Sequence, residues 1–202
     1  MNTSTKTLTR TGLAVALIVA AQFIGKLLPA GAVLFGPFSV NQLITGSLVN
    51  LILILSALVI GLWPAAAVGV LSSILASIIG VGPIFPIITP AIAIGNCIIV
   101  AAAAFLSKKD GVLKLPAVAV GAAAKCAFLW ATVPFLFRFI PEIKPPQAQM
   151  LSVMFSWPQF ITAAVGGVLA MLIVPALKKA LEARERSPSL EKPKKGKPCP
   201  GF

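Results

Sequence analysis

A single lysine stands in the stretch GAAAKCAFLW, residues 121–130, and no other charged residue occurs between Lys114 and Arg138. A charge at the centre of a membrane helix costs at least about 2.5–3.5 kcal/mol on insertion scales, so it should face a cavity and meet a partner. The apolar run Leu115–Phe137 sets Lys125 too deep for its stem to carry the ammonium to an interface. The five acids are Asp110, Glu142, Glu182, Glu185 and Glu191, and all lie outside the apolar runs. Lys125 can be neutral, pair with backbone carbonyls, reach Glu142, or meet an anionic group that does not belong to the protein. The last option predicts a carboxylate-bearing ligand. The plainer option is a lysine solvated in a small internal cavity.

The other polar residues inside apolar runs are Gln22, Asn41, Gln42, Asn50, Asn96 and Gln159. A buried amide in hydrocarbon usually makes an interhelical hydrogen bond, and that accounts for most single cases. Depth argues for more. At 1.5 Å per residue, Asn96 and Gln159 each lie about 10 Å or slightly more below one end of their spans, and Lys125 about 13 Å if Pro134 ends its helix early. Asn41 and Gln42 stand at that same end.

Several chemistries lack their materials. There is no histidine and no carboxylate within an apolar run, so proton relays, metal sites and general acid–base pairs are not expected. No GxxxxGK[ST] loop occurs. The cysteines show no metal or disulfide spacing; Cys97 and Cys126 lie in apolar runs and Cys199 in the tail. The chain reads as a binder, not an enzyme, with no cofactor and no energy source of its own.

These residues sit in a bilayer protein. Of 202 residues 58% are hydrophobic and 11% charged, and the mean hydropathy is +0.99; a soluble domain carries about 25% charged residues. The sequence predicts an all-α membrane domain over 1–180 with six spans, roughly 8–28, 39–62, 64–81, 89–107, 113–139 and 150–177. A basic, disordered cytoplasmic tail is expected over 181–202. With the N-terminus inside, thirteen Lys and Arg fall on the inner side, among them Lys108, Lys109 and Lys114. Only Lys26, Arg138 and Lys144 fall outside. Both termini are therefore expected in the cytoplasm. The net charge of +12 is a membrane-surface signature and implies no nucleic acid. Three segments then face outward, 29–38, 80–88 and 138–150, and the first two are apolar enough to suggest lids.

Small residues recur every four positions. Gly12, Ala16 and Ala20 lie on one face of span 1; Ala65, Gly69, Ser73 and Ser77 on span 3; Gly166 and Ala170 on span 6. Packing within the bundle is expected for spans 3 and 6, whereas span 1 can offer its face to another membrane protein.

The layout resembles the substrate-binding S components of energy-coupling factor (ECF) vitamin transporters, prokaryotic plasma-membrane proteins of this size with six spans. Their first span carries an AxxxA motif, matched by ALIVA, Ala16 to Ala20. The segments FGPFSVNQLITGSLVNLILILSALVIGLWPAAAV and GVGPIFPIITPAIAIGNCIIVAAAAFL are similar as well. The resemblance covers roughly residues 8–180. It implies capture of a small water-soluble vitamin or related micronutrient near the outer leaflet. It also implies docking through Gly12, Ala16 and Ala20 onto a transmembrane coupling subunit, with two cytoplasmic ATPases driving import. Family sites draw on spans 4, 5 and 6. That implies substrate binding by Lys125, Asn96 and Gln159, aided by Asn41 and Gln42, with Trp130 and Trp157 able to stack on a ring. The alternatives are a stand-alone facilitator or pore, and a structural subunit of a membrane complex.

Overall fold

The computed structural model describes residues 3–27, 33–35, 38–83, 85–107 and 113–186. Apolar runs long enough to span hydrocarbon become helices, because in lipid every backbone N–H and C=O must find its partner within the protein. They are α1 (Thr3–Leu27), α2 (Val40–Val59), α3 (Leu62–Ile79), α4 (Thr89–Leu106), α5 (Leu115–Leu136), α6 (Pro145–Met154) and α7 (Trp157–Arg186). Six stretches are long and apolar enough to cross a membrane, with α6 and α7 counted as one. The chain is thus an all-α, multi-pass membrane protein.

Local chemistry sets the helix ends. Ser39 caps α2, its hydroxyl accepting from the Gln42 amide at 3.2 Å. Gly61, at φ 104°, turns the chain between α2 and α3, and Gly80, at φ 76°, closes α3 in the left-handed conformation. Prolines occupy the first turns of α4, α5 and α6, where a missing N–H is harmless. Pro134 does not end α5, which runs on to Leu136 and a short 3₁₀ turn at Phe137–Phe139.

One end of the bundle, here the upper end, is where α1, α3 and α5 finish and α2, α4 and α7 begin. A small antiparallel hairpin, β1 (Val33–Phe35) with β2 (Phe38–Ser39), lies beside the start of α2. The expected lids lie partly outside the described residues: 28–32, 36–37 and 84 are not described. What is described of 80–88 ends in a 3₁₀ turn, Pro86–Ile88, with Ile88 fully buried. Segment 138–150 is no plain connector, since it contains most of α6.

α2 is the central helix. No residue along it is exposed, as expected of a helix apolar on all sides. It packs most extensively on α7 and also touches α1, α3 and α4, while α1–α3–α4–α5–α7 form an arc around it. Glycine permits the closest approach: a Cβ at Gly166 would sit 2.6 Å from the Ser47 carbonyl oxygen of α2. The small faces of α3 and α7 are spent on such packing, with Ala65, Gly69, Ser73, Gly166 and Ala170 all buried. On α1, by contrast, Gly12, Ala16 and Ala20 point away from the bundle, and nothing lies within 4 Å of a Cβ built at Gly12.

The apolar core is in two parts. The larger includes Ile18, Leu53, Ile54, Val68, Val100, Val118 and Ala122, and fills the lower half. The smaller, Ile88, Ala91, Leu129, Val133, Leu151 and Phe155, joins α4, α5 and α6 at the upper end. The basic tail expected from residue 181 begins as a continuation of α7 to Arg186, and residues 187–202, with Cys199, lie outside those described.

Candidate functional site

A polar layer separates the two cores. On α5, Ala122 belongs to the lower core and Leu129 to the upper, with Lys125 between them. On α4, Ala91 and Ile99 flank Asn96 in the same way. Lys125 is 3% exposed. Its ammonium donates to Asn50 Oδ1 at 2.7 Å and to Asn96 Oδ1 at 2.9 Å. The third N–H finds no acceptor among the described residues, and no carboxylate meets the group there. The options read from the sequence omitted this one: the ammonium is held by side-chain amide oxygens, not by backbone carbonyls or Glu142.

Each asparagine is held in turn. The two N–H groups of Asn96 Nδ2 are shared among three acceptors of α3, Gly69 O (3.2 Å), Ser72 Oγ (3.1 Å) and Ser73 Oγ (3.1 Å). Asn50 Nδ2 donates to Gly46 O (2.8 Å) and, more weakly, to Thr162 Oγ1 of α7 (3.5 Å). Ser72 O also accepts from Gln22 Nε2 of α1 at 3.0 Å. One network of side chains thus touches α1, α2, α3, α4, α5 and α7. Counted along the helices, Lys125, Asn50 and Asn96 lie about 10–16 Å below the upper end, near the middle of a ~30 Å hydrocarbon layer.

The arrangement can bind an anion. In the protonated form, two neutral oxygens orient the ammonium without cancelling its charge, and one N–H remains to donate. Buried acceptors of the same layer also lack partners among the described residues: Gln22 Oε1 and Ser47 Oγ.

Of the residues expected at the site, Lys125 and Asn96 come together. Gln159 and Gln42 do not join them. The sixth span is broken at 155–156, so Gln159 sits in the first turn of α7. A break inside a membrane frees carbonyls, and side chains must satisfy them. Gln42 Nε2 and Gln159 Nε2 both donate to Met154 O, at 3.2 and 3.4 Å, and Cys126 Sγ donates to Ser156 O at 3.2 Å. Gln42 and Gln159 therefore tie the break together. Asn41 accepts from Thr45 Oγ1 at 3.0 Å, against Gly25 of α1. Trp130 is 65% exposed on the side of α5 away from Lys125. Trp157 stacks edge-on against Phe38 with centroids 5.2 Å apart. Neither ring reaches the polar layer.

Asn50 and Thr162 complete the site and were not expected there. Asn50 had a signal, since it shares a helical face with Gln42 and Gly46; Thr162 had none, being one hydroxyl among many. No family model, curated protein or solved structure matches the chain.

Proposed function

We propose that the chain is the membrane-embedded substrate-binding subunit of an ECF-type importer. Its substrate is a small, carboxylate-bearing, vitamin-like molecule, taken at Lys125 between Asn50 and Asn96. A transmembrane coupling subunit and two cytoplasmic ATPases supply the transport energy, and the chain itself catalyses no reaction. The observation that carries this is the Lys125 ammonium, buried at mid-depth, oriented by two neutral amides and met by no carboxylate among the described residues. Two further features support it. The core above the site is smaller than the core below it and separate from it, so access from the upper, outer end disturbs less packing. The face Gly12–Ala16–Ala20 is turned outward, where a coupling subunit can reach it. A facilitator needs a polar path across the bilayer, and in the lower half the core is apolar apart from Ser56, whose hydroxyl donates to the Ile52 carbonyl of its own helix.

A second reading has its own observation. Because the network joins all six long helices, Lys125 can be a structural keystone with no ligand. Asn50→Asp separates the two. A carboxylate at this position keeps an oxygen on the ammonium and gives up only the amide's donation to Gly46 O and Thr162 Oγ1, and it competes with any ligand acid. A charge-assisted hydrogen bond contributes about 1.5–3 kcal/mol, so affinity for an acidic vitamin should fall about 10- to 100-fold while the fold persists. Titration of purified protein with acidic and neutral vitamins, read by tryptophan fluorescence and by calorimetry, checks this. Binding of an acid that Asn50→Asp leaves unchanged, or no binding across the panel, favours the keystone.

A further inference from the structure

The membrane-facing side of α5 and α7 carries a groove that the site at Lys125 does not use. It measures about 530 Å³ and is lined by Ala123, Cys126, Ala127, Trp130, Ser156, Trp157 and Phe160. Small residues of α5 form its floor and aromatic rings its walls. Trp157 is held in place by its edge-on contact with Phe38. The groove lies on the outside of a membrane bundle, so hydrocarbon chains are what it meets.

At successive turns of α5, Ala123, Ala127, Trp130 and Pro134 follow one face, and that face leads to Arg138 in the 3₁₀ turn beyond the helix. Arg138 is exposed, its guanidinium 5.6 Å from the centroid of the Phe135 ring. Among the described residues it makes no hydrogen bond and no ion pair. Glu142 and Lys144 are exposed nearby in sequence, so segment 138–144 carries a net positive charge. Trp130 lies eight residues before Arg138, about 12 Å along the helix, and Cys126 about 18 Å. One leaflet of hydrocarbon is about 15 Å deep. An acyl chain whose headgroup sits at Arg138 therefore ends between Trp130 and Cys126, inside the groove.

We infer that Arg138 and the α5–α7 groove form a site for an anionic phospholipid. Its phosphate takes the planar fork of the guanidinium, which suits bidentate oxygen pairs. One acyl chain lies along α5 between Trp130 and Phe160. Charge complementarity selects the headgroup, and the groove selects a chain over bulk packing.

The test uses the full chain with Trp63→Phe, which leaves Trp130 and Trp157 as the fluorophores, both lining the groove. The protein is reconstituted in phosphatidylcholine vesicles containing a minor fraction of phosphatidylglycerol or phosphatidylcholine brominated at mid-chain. Brominated phosphatidylglycerol should quench at about fivefold lower mole fraction than brominated phosphatidylcholine, the preference expected of one basic residue at the surface. Arg138→Gln should bring the two curves together. Ala127→Leu, which fills the floor and leaves the arginine, should reduce quenching by the anionic lipid selectively. Identical curves in the parent protein, or a preference that survives Arg138→Gln, overturn the site. A preference that survives Ala127→Leu overturns the groove's part in it. None of these outcomes depends on whether a vitamin binds at Lys125.

Discussion

Lys125 shows how a lone charge is accommodated in hydrocarbon without an acid. Two amide oxygens solvate it, and their own N–H groups are anchored elsewhere, so the oxygens cannot turn away. The two asparagines are unequal. The two N–H groups of Asn96 are both engaged, shared among three acceptors on α3 at 3.1–3.2 Å, whereas Asn50 has one at 2.8 Å and one only weakly held at 3.5 Å. Asn96→Leu should therefore destabilise more than Asn50→Leu. Membrane hydrogen bonds contribute about 0.6 kcal/mol each on average, and the deserted ammonium adds to both losses equally. A difference of about 0.5 kcal/mol is expected, read from thermal or denaturant unfolding in detergent. Equal losses would mean that the α3 hydroxyls re-pair without Asn96. Lys125 and Asn96 were legible in the sequence because charge and amides are rare in such runs. Their mutual contact was not legible, because it depends on how α4 and α5 are rotated about their axes. Trp130 was misplaced for the same reason: residues five apart on a helix point about 140° from each other.

At the scale of elements, spacing alone could not say which small faces pack inside. Gly166 and Gly12 both begin four-residue patterns, yet one is pressed against the α2 backbone and the other stands open. Gly166→Ala should cost about 1–3 kcal/mol through overpacking, whereas Gly12→Ala should change unfolding by no more than about 0.5 kcal/mol. The same detergent unfolding measurement checks both, and a comparable loss at Gly12 would mean that α1 packs through that face after all. The break between α6 and α7 also escaped the sequence. Phe155 and Ser156 carry no helix-breaking residue, and Pro158 falls in the first turn of α7, where proline is at ease. What permits the break is remote: Gln42 on α2 and Cys126 on α5 supply partners for the freed carbonyls. A single apolar run thus reads as one span until its neighbours are known.

For the whole molecule, the count of spans was legible, and the ends of the second to fifth to within three residues, because the length of hydrocarbon to be crossed is fixed by the bilayer; the first and sixth begin five residues earlier than read, and the sixth runs nine residues further. Sidedness is the expectation that charge sets. Among the described residues, Lys6, Arg10, Lys114, Lys178 and Lys179 accompany the lower end and Lys26, Arg138 and Lys144 the upper end, where Lys26 Nζ donates to the Ile79 carbonyl at 3.2 Å. The proposed route depends on this polarity, since capture from outside requires the smaller core and α6 to face the medium. In a variant lacking Cys97, Cys126 and Cys199, a cysteine introduced at Glu142 should react with a membrane-impermeant maleimide on intact cells. One introduced at Lys179 should react only after the membrane is opened. Glu142 and Lys179 are both exposed, so a difference in labelling reports sidedness and not burial. The reverse pattern would put α6 in the cytoplasm and leave the lower, apolar core facing outward. Lys125 would then be reachable from outside only through the more extensive packing, and a role in release or in structure would replace capture.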